Sequence, residues 1–164
     1  MRTEKSLFRD AMARLGAAVN IVTTDGPGGR HGMTASAVCS VTDDPATVLV
    51  CINRSSTGNA VLKANEVLCI NVLDSHHAAL SARFAGGVPD MATRFGDARH
   101  WTELETGSPA LKDAAVALDC RIVSVSEVGT HSVFFCEVAD MLFADKSGAL
   151  IWVNRAYHSI AAAA

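Results

Sequence analysis

The sequence predicts a mainly β fold: an antiparallel β-barrel, closed or nearly closed, with a few peripheral helices. Three observations carry this. Long apolar alternation begins at Val116 and is interrupted only at Val128-Gly129-Thr130-His131. A β-branched run at residues 19–24 ends in Asp25-Gly26-Pro27-Gly28-Gly29, and a second run opens at His31, which reads as a hairpin. Strands joined by such short turns leave unpaired edges, and barrel closure removes them. The third observation is size: 164 residues with 49% hydrophobic content suit one domain over 1–164.

The elements follow in order. Leu7, Phe8, Ala11, Met12 and Leu15 recur at helical spacing, and Gly16 stops that helix. The strand opened at His31 runs to Val41. Residues 47–53 alternate with both faces apolar, as a central strand does. Residues 55–64 suit a short helix and 67–73 a strand, after which Ser75 caps a helix to Phe84, stopped by Gly86-Gly87. Residues 86–109 carry no clean period and read as a surface excursion with one helical turn at 91–95. From Val116, Leu118, Cys120 and Ile122 share one face while Asp119 and Arg121 take the other. Further strands follow at 132–143 and 150–153.

A net charge of −3 disfavours nucleic acid and anionic membrane as partners. The five cysteines, spread through apolar runs without CxxC spacing, read as reduced, buried small hydrophobes. The opening MRTEKSLFRDAM lacks a signal-peptide core, and no apolar stretch approaches the ~18 residues of a membrane span, so a cytoplasmic protein is expected.

Two runs carry the functional signal, GMTASAVCSV and VLVCINRSS. Thr34, Ser36 and Ser40 alternate along one side of a strand. Asn53, Arg54, Ser55 and Ser56 stand where the next strand gives way to a helix. Hydroxyls, helix N-terminal amides and a guanidinium together suit a phosphate, although spacing alone favours ordinary strand hydroxyls and a helix cap. His131 in its turn, and Arg83 at a helix end, likewise have plain structural readings. His76-His77 lacks the i,i+4 spacing that sets two imidazoles on one metal, so no metal is expected. Nucleophile-elbow, P-loop and strand-led GxGxxG motifs are absent.

The ordered set FRDAMARLGAAVNIVTT, GMTASAVCSVTDDPATVLVCINRSS, LCINVL, ARFAG, VGTHSVFFCEV and a closing Tyr-His resembles the short-chain flavin reductase family, from Phe8 to His158. These are reductase components of two-component flavin-dependent monooxygenases, and the likeness leans toward those serving pyrimidine-ring-opening and 4-hydroxyphenylacetate enzymes. The resemblance implies an FMN-binding split β-barrel, antiparallel and Greek-key-like, in a homodimer. It implies isoalloxazine contacts from Thr34, Ala35, Ser36 and Ala37, and flavin contacts from Cys51, Ile52, Asn53, Arg54, Ser55 and Ser56. Arg83 and Phe84 would support the phosphate side. His131, Tyr157 and His158 would stand by the nicotinamide.

Departures from the family pattern are Ala46 after Pro45, where a second proline is frequent, and the absence of an aromatic in Asn65-Glu66-Val67-Leu68. The implied activity is hydride transfer from NADH or NADPH to FMN or FAD, with no dedicated catalytic acid or base. Reduced flavin would then pass to a separate monooxygenase. Arg94 and Arg99 are the candidates for an NADPH 2′-phosphate, and without an arginine cluster NADH is favoured. The rival expectation is a non-enzymatic flavin-binding electron-transfer module on the same fold.

Overall fold

The computed structural model describes residues 4–163. Helix α1 (Glu4–Met12) leads to β1 (Ala17–Ala18) and β2 (Asn20–Thr24), which turns through the Gly-rich segment into β3 (His31–Ala35). Next come β4 (Val38–Asp43), β5 (Ala46–Asn53), α2 (Thr57–Asn65) and β6 (Val67–Val72). Helix α3 (Ala78–Ala82) runs into a π-helical turn (Arg83–Gly87), followed by α4 (Met91–Phe95), a 3-10 turn (Ala98–His100), β7 (Trp101–Glu103) and β8 (Pro109–Leu111). The long hairpin β9 (Val116–Val128) and β10 (His131–Phe143) precedes β11 (Ala149–Val153) and β12 (Ala156–Ile160).

Seven strands form one antiparallel sheet in the order β3-β2-β6-β9-β10-β5-β4, while β1-β11-β12 and β7-β8 make smaller sheets. Its edges, β3 and β4, are neighbours in the chain but do not pair, so the sheet is not closed. Only Ser36 and Ala37 join them. Three Cα–Cα steps span at most about 11 Å, so the sheet must curl until its edges nearly meet. The strand expected over 31–41 is therefore two: β3 takes its hydrogen bonds from β2, β4 takes its own from β5, and the chain changes partner at Ser36-Ala37.

Inside the curl, Val22, Val50, Ile52, Leu62, Leu68, Ile70 and Phe134 form one apolar cluster. A second cluster lies beneath the excursion, where Phe84, Phe95 and Trp101 pack with ring centroids 4.9–5.8 Å apart. Asp119, expected on a polar face, is fully buried. The Thr106 amide and hydroxyl donate to its carboxylate at 2.7 and 2.5 Å, so the residue ties down the loop that covers it. Burial, the main cause, lifts its pKa above the usual carboxylate range, and Thr106 partly offsets that lift.

Other expectations need correction. Ser75 does not cap α3: its hydroxyl donates to Asp74 Oδ1 at 2.7 Å, and the helix enters through His77. Tyr157 and His158 lie within a strand, β12, that follows β11 through Asn154-Arg155, both at positive φ. Of the cysteines, Cys69, Cys120 and Cys136 are buried, Cys51 is half-buried and Cys39 is exposed.

Candidate functional site

Where the curled sheet fails to close, a cavity of about 580 Å³ opens. That lies within the roughly 300–1,000 Å³ of small-molecule and cofactor sites. Its floor is Thr34 and Ala35 of β3, the Ser36-Ala37 link, and Cys51, Ile52 and Asn53 of β5. The link residues lie outside any strand, and their amides have no protein acceptor among the described residues. The same break that opens the sheet thus leaves two backbone donors free, suited to the polar edge of a planar ring. The Thr34 hydroxyl donates to the Ser81 carbonyl at 2.6 Å, tying β3 to α3.

One end of the cavity is the start of α2. Ser56 is its N-cap: the hydroxyl accepts from the Asn59 amide and donates to the Asn53 carbonyl. Asn53 Oδ1 in turn accepts from the Ser55 amide and hydroxyl at 2.9 and 2.8 Å, so the turn is held by its own side chains. The amides of Thr57 and Gly58 have no acceptor among the described residues, as the first helical turn dictates. With the helix dipole they make an anion-seeking end.

The structure brings together Thr34, Ala35, Ser36, Ala37, Cys51, Ile52, Asn53, Ser56, Phe84 and Tyr157 of the expected residues. It leaves Ser40, Arg54, Ser55, Arg83, His131 and His158 off the lining. Ser40 is exposed on β4. Arg54 turns away to Glu127 at 3.0 Å and to the Gly129 carbonyl at 3.3 Å. Arg83 is exposed whereas Phe84 is buried. His131 pairs across strands with Asn53 at the rim, and Thr130 Oγ1 lies 2.9 Å from its Nδ1. His158 is exposed, one residue beyond Tyr157. Tyr157 is fixed twice, by its hydroxyl 2.8 Å from Ser81 Oγ and by its ring packed edge-on to Trp152 at 4.9 Å.

Sequence reasoning missed His31, Met33, Thr57 and Trp152 in this lining, and named Arg94 only as a candidate for a nicotinamide 2′-phosphate. Arg94 is buried, with Nη1 donating to the Gly32 carbonyl at 2.9 Å and Nε donating to the Val88 carbonyl. Among the described residues no carboxylate pairs with it, and no aspartate or glutamate lines the cavity. A buried unpaired guanidinium is costly without an anion. Its legible signal was a basic residue flanked by Met91, Ala92 and Phe95 in the helical turn MATRF. The donor set, the lone cation and the cavity size fit a planar anionic cofactor such as FMN.

A separate cluster joins His76, His77 and Asp113, whose candidate ligand atoms lie within 4.8 Å of one another. The Asp74 amide donates to His77 Nδ1 at 3.1 Å, so neutral His77 carries its proton on Nε2, 3.2 Å from Asp113 Oδ2. A metal would need a lone pair where that proton stands. Burial, against the pull of Asp113, lowers the His77 pKa and keeps the ring neutral. The cluster acts as a hydrogen-bonded clamp on the turn before α3.

Comparison with known proteins agrees with this geometry. The chain is 54% identical over 157 residues to the FMN reductase (NADH) RutF of Serratia proteamaculans (strain 568), covering 96% of this chain and 89% of that one. A solved chain from Haemophilus somnus 129pt, described as a flavin reductase, superposes with a TM-score of 0.90 at 45% identity, covering 96% of this chain and 100% of the other. A homologue of nitrilotriacetate monooxygenase component B from Mycobacterium thermoresistibile gives 0.86 at 26% identity, covering 96% and 87%. The flavin reductase like domain matches residues 12–161, and the chain belongs to that family.

Proposed function

We infer that the protein is an NADH-dependent FMN reductase that hands reduced flavin to a separate monooxygenase. The observation that carries this is the carboxylate-free cavity at the β3–β4 link, which joins free backbone amides, a helix N-terminus and a buried arginine. The RutF relative, named FMN reductase (NADH), supports the choice of both substrates. The likeness to a monooxygenase component supports the partner.

Bound flavin would supply the hydride acceptor. The protein's part is to bind, orient and stabilise. Thr34 to Ala37 would lie against the ring, with the Ser36 and Ala37 amides donating to its polar edge where negative charge grows on reduction. Such donors are preorganised by the strand break and need no reorganisation during transfer. Tyr157, held by Ser81 and Trp152, would form the wall against which a nicotinamide is placed, and His131 would stand at the rim. Ser55 and Arg54 would act indirectly, by fixing the turn that carries Asn53 and Ser56.

A homodimer is part of the proposal. Val123, Val125 and Val128 of β9, Met141 and Phe143 of β10 and Val41 of β4 are large apolar side chains left exposed, Phe143 at 65%. Exposed apolar residues in such number mark an association surface. Sedimentation equilibrium should return twice the chain mass. No helix among the described residues is long and apolar enough to cross a membrane.

The activity is tested by following NADH absorbance in steady state against added FMN. A rate that saturates with FMN supports the reading. FMN binding without NADH oxidation would replace it with an electron-transfer module.

A further inference from the structure

The floor and one wall of the cavity belong to different sheets. Thr34 stands on the seven-stranded sheet, whereas Trp152 and Tyr157 stand on the small β1-β11-β12 sheet. No ladder of strand hydrogen bonds joins the two sheets, so pairing does not set the spacing between floor and wall. Trp152 packs on the Tyr157 ring but moves with it, because both lie on the same sheet. What spans the two sheets at the cavity is Ser81 of α3. Its carbonyl accepts from the Thr34 hydroxyl at 2.6 Å, and its own hydroxyl lies 2.8 Å from that of Tyr157. Ser81 is fully buried and does not line the cavity, whereas Thr34 and Tyr157 are half-buried and do.

The helix that carries Ser81 is itself seated. The Ser81 amide donates to the His77 carbonyl at 2.9 Å, and the His77 ring is held by the Asp74 amide and by Asp113. The turn before α3 also grips the small sheet: the Ser159 hydroxyl donates to the Ser75 carbonyl at 2.7 Å, and the Gly148 amide donates to Asp74 Oδ2 at 3.1 Å. We propose that Ser81 is a positioning residue for the reaction: it braces Tyr157 against Thr34 and so sets the gap in which a nicotinamide faces the flavin. This rests on the reductase reading above. It gives the histidine clamp a purpose beyond the turn, since the clamp seats the strut between floor and wall.

The test measures kcat and KM for NADH at saturating FMN in the wild type, Ser81→Ala, Tyr157→Phe and the double variant. FMN dissociation constants by fluorescence quenching, and urea melts of the flavin-free proteins, accompany each. A misplacement of about 1 Å costs up to about a hundredfold in rate, so Ser81→Ala should lower kcat/KM for NADH by about tenfold to hundredfold. FMN affinity should fall far less, because the carbonyl that holds Thr34 survives the substitution. In the Tyr157→Phe background, Ser81→Ala should add little further kinetic loss, and in the melts the double variant should lose less than the sum of the single losses. Ser81→Cys keeps the approximate volume and a weak donor, so it should fall between, and it carries the test where alanine fails to fold. Wild-type NADH kinetics in Ser81→Ala, equal losses in FMN affinity and NADH kcat/KM, or losses that simply add in the double variant would overturn the proposal alone. A wild type that oxidises no NADH would defeat the reductase reading, and this proposal with it.

Discussion

Replacing Gly58 with alanine tests how closely α2 is seated on the cavity floor. The added Cβ would stand 1.8 Å from Met33 Cε and 2.8–2.9 Å from His31 Nε2 and Cδ2. Carbon contacts settle near 3.5–4.0 Å, so the Met33 methyl must move by about 2 Å and the imidazole by about 0.7 Å. Met33 can comply through its flexible thioether chain, but both residues line the cavity, so compliance there comes at the flavin's expense. The helix gains up to about 1 kcal/mol from losing glycine, while overpacking costs about 1–3 kcal/mol. Net stability should therefore fall by about 0–3 kcal/mol in a urea melt. The flavin KM should rise by about tenfold, an affinity loss of about 1.4 kcal/mol. Adding Met33→Ala to Gly58→Ala removes the worse overlap and should recover most of the affinity. A Gly58→Ala protein with wild-type flavin KM and raised stability would refute the reasoning.

Other outcomes follow from the same packing. Gly32→Ala would set a Cβ 2.5 Å from Phe84 Cε1 and 3.2 Å from Phe95 Cζ, both rigid buried rings, so thermal unfolding should show a loss of about 1–3 kcal/mol. Asp119 has a folded pKa raised by burial, so its contribution to stability is full below the unfolded value of about 3.9 and is lost as pH rises through the folded one. Asp119→Asn should gain on the wild type in melting temperature from pH 4 to pH 7, and a difference flat with pH would contradict this. Tyr157→Phe leaves the fully buried Ser81 hydroxyl without its partner, costing about 1–2 kcal/mol and raising the NADH KM more than the FMN KM. Equal rises in both would count against a nicotinamide role.

Local signals in the chain placed much of the fold. The β2–β3 hairpin, the α2 cap after Asn53-Arg54-Ser55 and the α4 turn at 91–95 rest on residues adjacent in sequence, so their chemistry is visible there. The split at Ser36-Ala37 is not, because TASAVCS is uniformly strand-like and only the choice of partner, β2 or β5, breaks it. Asp119 looked like a solvent-facing residue for a related reason: the loop that covers it arrives from Thr106.

The site divides the same way. Thr34 to Ala37 and Cys51 to Asn53 stand on adjoining runs, and their convergence at one cavity follows once the sheet curls. Arg54 looked like the anion ligand because it sits beside the helix start. The structure instead gives it to Glu127, which also holds Lys63 at 2.6 Å, and brings Arg94 from the distant α4 turn. His31 and Trp152 entered the lining for tertiary reasons that no spacing displays.

The central claim is that the gap between β3 and β4 is the flavin site, and a crystal structure of the protein with FMN tests it most directly. The isoalloxazine is expected against Thr34 to Ala37 and the phosphate at the start of α2. FMN seated instead in the groove between Arg30, Phe95 and Trp101, with the β3–β4 gap left to solvent, would contradict it.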